Sequence, residues 1–219
     1  MPLEYHHAIS FENQIKASQA GSELILEILS RHHLHATFFS TYTFASQSKS
    51  LIHNLCDEHH ELASHGYFHS QFEDIHLTKS KQSLEGLSGH PVVGFRMPRM
   101  KSVELSKIAE AGYEYDSSLN PVILPGRYNN FSKPRLLFKE EGLWEVPASA
   151  TPSLRIPLFW LSFHHFPLWS QQRPQKTTHR GLDGPRVSAV RLCKCTCRRR
   201  CQSRWRHNDN VRVALAAGT

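Results

Sequence analysis

The sequence predicts an α/β fold in which parallel strands alternate with helices. Short apolar, β-branched and aromatic runs alternate with longer runs of helical periodicity along residues 11–116. Four strands separated by helices fit the βαβ pattern, in which each helix is a crossover between parallel strands. In such folds the chemistry gathers at the carboxyl ends of the strands, so the residues that follow each strand are the first candidates for a site.

The amino-terminal helix and the first two strands have the clearest patterns. An amphipathic helix is predicted over residues 11–31, with Ser10 as its N-cap. Its apolar face at helical spacing consists of Ile15, Leu24, Ile25, Ile28 and Leu29. A buried strand over residues 35–41, a helix over 48–57 and a strand over 61–64 follow.

The alternation continues with two more helices and two more strands, and a glycine closes each helix. These elements are a helix over 77–87 before Gly89, a strand over 91–96, a helix over 103–111 before Gly112, and a strand over 113–116. Beyond residue 120 the chain is rich in turns. One further strand is predicted over 143–147, and residues 156–161 form the most apolar segment.

Charge is distributed unevenly along the 219 residues. The net charge is +7, but residues 1–172 carry 14 Lys and Arg against 17 Asp and Glu, a balance of −3. The body therefore provides no electrostatic reason to expect nucleic-acid binding. No apolar run is long enough to predict a membrane span, and the start does not resemble a signal peptide. We therefore expect a cytoplasmic protein.

The length fits one domain with a sizeable core, predicted over residues 1–170. Residues 171–219 are predicted to form a disordered basic tail, because they have no apolar period and little to bury. The tail contains four cysteines, Cys193, Cys195, Cys197 and Cys201. A zinc site there is one alternative, although paired Cys-x-x-Cys knuckles are absent, and binding of phosphate backbones through the arginines at 198–200 is another.

Two histidines, His65 and His69, lie four residues apart at the end of the strand over 61–64, on either side of Gly66. A neutral imidazole is a good zinc ligand, and zinc prefers three or four N, O or S donors. One imidazole at a strand end and one after a tight turn can converge on one ion. The alternative is a pair of surface or capping histidines, in a chain that contains 16 histidines.

Arg96 ends the strand over residues 91–96 and precedes Met97 and Pro98. An arginine at a strand end can hold a carboxylate by a bidentate contact and set its orientation. The alternative is a structural ion pair.

Four segments together resemble the polysaccharide deacetylases, the NodB-homology family also named carbohydrate esterase family 4. They are residues 36–39, 61–70, 94–98 and 111–118, which occur in the order and spacing of that family. The resemblance covers residues 1–170 and is specific, because several motifs recur together.

The resemblance implies a distorted (β/α) barrel, incomplete in this chain, with a divalent metal that is usually zinc. It implies that His65 and His69 are metal ligands and that Arg96 orients the catalytic base. In that family an aspartate on the first strand is the third ligand, and the aspartate beside it is the base. The implied activity is hydrolysis of N-acetyl groups on a carbohydrate polymer or oligosaccharide.

Two departures from the family pattern lower the expected activity. The paired aspartates of the family lie just before the segment that matches residues 2–5, and Glu4 follows that position, so it is not assigned their role. The family's closing strand carries a His-Pro pair, whereas His179 lacks the proline. We expect a damaged reading frame, with an internal start and an out-of-frame tail after about residue 172, and weak or no activity.

Two other classes of function stay open. One is a non-catalytic remnant that binds carbohydrate, and the other is a nucleic-acid-binding or zinc-binding module built on the tail. Hydrolysis of a small non-sugar amide is a related enzymatic alternative, because barrels of this kind differ mainly in their loops.

Overall fold

The computed structural model describes residues 9–126, 128–157 and 213–217, all of which belong to one compact unit. The helices are α1 (Phe11–Arg31), α2 (Tyr42–Gln47), α3 (Lys49–Asp57), α4 (Ile75–Ser88) and α5 (Leu105–Glu110), with a short 3-10 turn at Pro98–Met100. The strands are β1 (Ala36–Ser40), β2 (Glu61–Ser64), β3 (Gly94–Phe95), β4 (Tyr115–Asp116), β5 (Ile123–Leu124), β6 (Tyr128–Asn129), β7 (Phe138–Glu140), β8 (Leu143–Glu145) and β9 (Val213–Ala217). None of these helices has the length and apolar character needed to span a bilayer.

Seven strands form one sheet in the order β7-β8-β4-β3-β2-β1-β9. Every neighbouring pair is parallel except the β7–β8 hairpin, and β5 and β6 form a separate antiparallel pair. The predicted α/β fold with parallel strands is therefore confirmed. Within the described ranges the sheet is open between β7 and β9, as expected of an incomplete barrel.

Both faces of the central strands are covered, which explains why β1 is buried at all five positions. Phe38 and Leu62 face the helices and join the main core, together with residues of α3 and α4. Phe39, Ala63 and Tyr115 pack on the opposite face as a second, smaller cluster. Because side chains alternate along a strand, continuous apolar runs such as residues 36–39 are what a sheet with two covered faces requires.

Helix α1 is confirmed, but two residues of its predicted apolar face are exposed. The Ser10 side chain caps the helix by accepting a hydrogen bond from the Asn13 amide at 3.3 Å. Leu26 and Leu29 are buried, whereas Leu24 and Ile28 are 58% and 45% exposed. At the α-helical period Leu24 and Ile28 each project about 160° away from Leu26, so one helix cannot bury all three against one sheet.

The other helices confirm the predicted pattern and add one element. Gly89 ends α4 with a left-handed φ of 70°, as its position predicted. Helix α2 was not predicted, because six residues are too few to show a helical period. It forms where Thr41 ends β1 and caps the helix, with the Thr41 hydroxyl accepting from the Phe44 amide at 3.3 Å.

The chain returns to the sheet at β9, which runs parallel to β1 with Ala36 opposite Val213 and Ser40 opposite Ala217. The sequence placed these five residues in a tail without structure. An edge strand offers unpaired backbone groups, and pairing with them does not require an apolar period. The rest of the predicted tail, with its cysteines and His179, lies outside the described residues, as do residues 1–8 and most of the apolar segment at 156–161.

We expect Leu84→Ala in α4 to lower the free energy of unfolding by about 2–5 kcal/mol, because Leu84 is fully buried in the main core. Leu136→Ala is the matched control, since the Leu136 side chain is 77% exposed and should change stability little. Urea unfolding followed by circular dichroism measures both. Similar unfolding midpoints for the two variants would contradict the assigned core.

Candidate active site

The carboxyl ends of β1 to β4 lie at one level of the sheet. Ser40 is opposite Ser64, Ser64 is opposite Phe95, and Phe95 is opposite Asp116. The next residues along the chain therefore emerge side by side at one edge of the sheet. Among them are His65 and Arg96, which the sequence singled out at the ends of separate strands, and Ser117.

The His65 imidazole is buried and held by the neighbouring strand. Its Nδ1 lies 2.7 Å from the carbonyl oxygen of Arg96, and its backbone amide donates to the Ser40 carbonyl at 2.8 Å. A carbonyl oxygen can only accept, so Nδ1 carries the proton and the lone pair is on Nε2. Burial, together with the nearby His69, lowers the pKa of His65 to about 3. The ring is therefore neutral, which is the form that binds metals.

His69 meets His65 through a tight turn at Gly66. The two ring centroids are 5.6 Å apart, with an angle of 53° between the ring planes. Gly66 has a φ of 88°, a left-handed conformation that glycine adopts without strain. The turn packs against Pro98, whose ring atoms lie 3.7 Å from the position that a Gly66 Cβ would occupy. The sequence thus predicted both the end of the strand at Gly66 and the approach of the two imidazole rings.

The Arg96 guanidinium is engaged by neutral groups. Its Nε donates to the Ser117 carbonyl at 3.0 Å and its Nη2 to the Ser117 hydroxyl at 2.6 Å. It also lies over the Phe39 ring, 4.2 Å from the centroid. Burial lowers the pKa of Arg96 to about 10, although Tyr115 and Asp116 counteract this effect. No ion pair joins Arg96 to a carboxylate within the described ranges, so neither the bidentate contact nor the structural ion pair is formed there.

A pair of buried acids lies beside this arginine. Asp116 and Glu145 are opposite each other on β4 and β8, and they are only 3% and 4% exposed. Burial raises the pKa of both carboxyl groups, and the negative charge of Asp116 raises that of Glu145 further. Two carboxyl groups this close do not both ionise, so the pair shares a proton. Asp116 is the last residue of the strand that the sequence predicts over 113–116, but its pairing with Glu145 was missed.

Asp116 also orders the turn that follows Arg96. Its two carboxylate oxygens accept from the Ser118 amide at 3.0 Å and from the Ser118 hydroxyl at 2.6 Å. The Ser118 hydroxyl in turn accepts from the Met97 amide at 2.8 Å. The Ser117 hydroxyl donates to the Val146 carbonyl at 2.7 Å. Asp116 is thus linked through Ser118 to the Met97 amide, and the neighbouring Ser117 holds the Arg96 guanidinium. The one sequence signal for the acid pair was Glu145, a charged residue within the apolar run 143–147.

The family model for polysaccharide deacetylases matches residues 6–115, which is half of the chain and includes the histidine pair and Arg96. The chain belongs to the polysaccharide deacetylase family. Its resemblance to that family, seen in the sequence motifs, is thereby confirmed.

Two proteins similar to this deacetylase-family chain show how much of the family's length it covers. It is 30% identical over 117 residues to the peptidoglycan deacetylase of Helicobacter pylori, an alignment that covers 47% of this chain and 38% of that protein. A crystal structure from Mycobacterium smegmatis, assigned to the polysaccharide deacetylases, is 26% identical with a TM-score of 0.50. That match covers 59% of this chain and 46% of the other. The chain thus spans less than half the length of the relatives that it matches.

The site of this deacetylase-family chain fits a metal ion only in part. His65 has the tautomer of a metal ligand, because metal-binding histidines commonly donate their second ring nitrogen to a carbonyl or carboxylate. However, the described residues contain no group of three His, Cys, Asp or Glu side chains that could hold an ion. A catalytic zinc uses three protein ligands. The roles of His65 and His69 as ligands and of Arg96 in catalysis stay predictions.

The acid pair of this deacetylase-family chain should make its stability depend on pH. The pKa of Glu145 is raised in the folded protein above its ordinary value of 4.5. The stabilising effect of its proton is therefore complete below pH 4.5 and is lost as the pH rises, by up to about 1.4 kcal/mol for each pH unit. We expect Glu145→Gln to unfold at a higher urea concentration than the wild type at pH 8, with a smaller difference at pH 5.

Glu110→Gln is the matched control for this measurement, because Glu110 is exposed at the end of α5. Its stability should follow the wild type at both pH values. Equal pH dependence of Glu145→Gln and wild type would show that Glu145 is ionised in the folded protein.

Proposed function

We propose that this chain carries the histidine and arginine part of a metal-dependent carbohydrate N-deacetylase site. The reaction is hydrolysis of the C–N bond of an N-acetyl group on a sugar. The observation that supports it most is the 2.7 Å contact from His65 Nδ1 to the Arg96 carbonyl, with the His69 ring beside it. The family supports the reaction class. The relative named as a peptidoglycan deacetylase supports a carbohydrate polymer as the substrate.

Zinc is the proposed ion, because imidazole nitrogens are ligands of the kind that zinc prefers. His65 and His69 would hold it at the strand ends. A bound zinc ion polarises an amide carbonyl and lowers the pKa of its water. The buried, neutral state of His65 supports this assignment, since a protonated imidazole cannot bind a metal.

We further propose that turnover by this chain is impaired. In the part of the chain that the structure describes, no carboxylate joins the two histidines to complete a three-ligand site. The Arg96 donors Nε and Nη2 are both used on Ser117 rather than on a carboxylate that could act as a base. Two ligands without an oriented base among the described residues favour weak metal binding and slow hydrolysis. Binding of carbohydrate without turnover is the second candidate function, and the same incomplete ligand set favours it.

The metal proposal predicts that His65→Ala lowers the affinity for Zn²⁺ on the order of tenfold or more, because one of two ligands is lost. Calorimetric titration of the full chain measures this, with the cysteines alkylated so that tail thiols do not contribute. His53→Ala is the matched control, since His53 is an exposed histidine on α3. Equal zinc affinity of wild type and His65→Ala would overturn the assignment.

The activity proposal predicts little acetate release from N-acetylglucosamine oligosaccharides, and less still from the His65→Ala variant. An enzymatic acetate assay with and without added Zn²⁺ tests this. Rapid zinc-dependent release by the wild type would contradict the proposed impairment. Oligosaccharide binding without any acetate release would favour the non-catalytic candidate.

A further inference from the structure

A cavity of about 330 Å³ opens beside His69, between the loop that follows β2 and the turn that follows β3. Its volume is at the lower end of the range of about 300–1,000 Å³ that small-molecule sites occupy. His69 lines the cavity, and the reacting amide of the proposed substrate would lie at the same histidine. A substituent of the same sugar, or part of the neighbouring one, would therefore enter this cavity.

The cavity carries positive charge. Arg99 and Lys101 line it, and none of the described residues that line it is acidic. Both are exposed, and neither side chain forms a hydrogen bond or ion pair with another described residue. Lys107 on α5 provides the contrast, because its ammonium group is 2.9 Å from both Asp74 and Glu104. Two cations without neutralising partners at one concave surface attract an anion.

The turn that carries these cations is held in an unusual backbone conformation. Arg99 and Met100 have φ values of 59° and 53°, in the left-handed region that residues other than glycine seldom adopt. Such conformations are costly and often occur where a binding group must be presented. The turn is anchored at Met97, whose amide donates to Ser118 and whose carbonyl accepts from the Met100 amide at 3.1 Å. The backbone from which Arg99 extends is therefore held in place at Met97 and Met100.

The rest of the cavity wall suits a sugar. Phe72 and Val103 provide apolar surface, and Ser70 and Ser102 provide hydroxyl groups. A pyranose ring has apolar C–H faces and polar edges, so it can use both kinds of surface. A free inorganic anion would use only the charges.

We propose that this cavity binds an anionic substituent, a carboxylate or a phosphate, on the N-acetylated sugar whose amide lies at the histidines. Arg99 and Lys101 donate charge-assisted hydrogen bonds to that group. The substrate class is therefore an acidic N-acetylated sugar rather than a neutral one. This proposal rests on the proposed function, because only that function brings a sugar to His69.

The test measures binding of three sugars to the full, metal-free chain in EDTA by calorimetry at low salt. The probes are N-acetylglucosamine, the same sugar with a lactyl ether carboxylate (N-acetylmuramic acid), and N-acetylglucosamine 6-phosphate. We expect at least one acidic sugar to bind on the order of tenfold more tightly than the neutral sugar. Preference for the carboxylate or for the phosphate identifies the source of the anion, and either supports the proposal. Raising the salt concentration should weaken the preference.

The double variant Arg99→Gln, Lys101→Gln should bind all three sugars equally. The matched control is Arg31→Gln, Lys49→Gln, which removes the same charges at exposed positions on α1 and α3 and should keep the preference. Arg99→Lys should also keep it, which separates loss of charge from a misfolded turn.

Equal binding of the three sugars by the wild type, no binding of any of them, or an unchanged preference in the Arg99→Gln, Lys101→Gln variant would overturn the proposal. Because no metal and no turnover are involved, a failure of the zinc or acetate measurements is distinguishable from a failure here.

Discussion

The hydrogen bond from His65 Nδ1 to the Arg96 carbonyl joins the ends of β2 and β3, and the remainder of the candidate site is arranged around it. It satisfies a buried ring nitrogen, which would otherwise be costly. It also selects the tautomer whose lone pair is on Nε2. The bond is possible because parallel pairing places Ser64 opposite Phe95, so that the next residue of each strand emerges at the same level. The tautomer of His65 is thus a consequence of strand register.

Next to that bond, the buried polar side chains of Asp116, Ser117 and Ser118 hold Arg96 and the residue that follows it. Ser117 accepts from the guanidinium, while Asp116 and Ser118 hold the amide of Met97. Burying the carboxyl of Asp116 against that of Glu145 is tolerated because the pair retains a proton and Asp116 accepts two hydrogen bonds. Networks in which the polar groups have partners are rigid. Rigidity here fixes both Arg96 and the turn that presents Arg99.

The comparison with the family shows what kind of domain this is, whereas its activity depends on the side chains of the site. The family model, together with the mostly parallel sheet, establishes a polysaccharide deacetylase domain. The activity of this chain depends on particular side chains, since one fold supports many reactions. The described residues supply two imidazoles and a half-buried arginine that donates hydrogen bonds to Ser117. They also supply a cationic cavity beside His69, on which the proposed preference for an acidic sugar rests.

The sequence by itself determined the α/β alternation and the glycine break between His65 and His69, because periodicity and turn chemistry are local properties. Only the tertiary structure decided the partner of Arg96, which is Ser117, 21 residues away, because strand register brings them together. Register likewise paired two acids from strands that are not adjacent in sequence, and edge pairing placed the short apolar run of β9 beside β1. Contacts between distant segments depend on how elements pack, and no window of sequence contains that information.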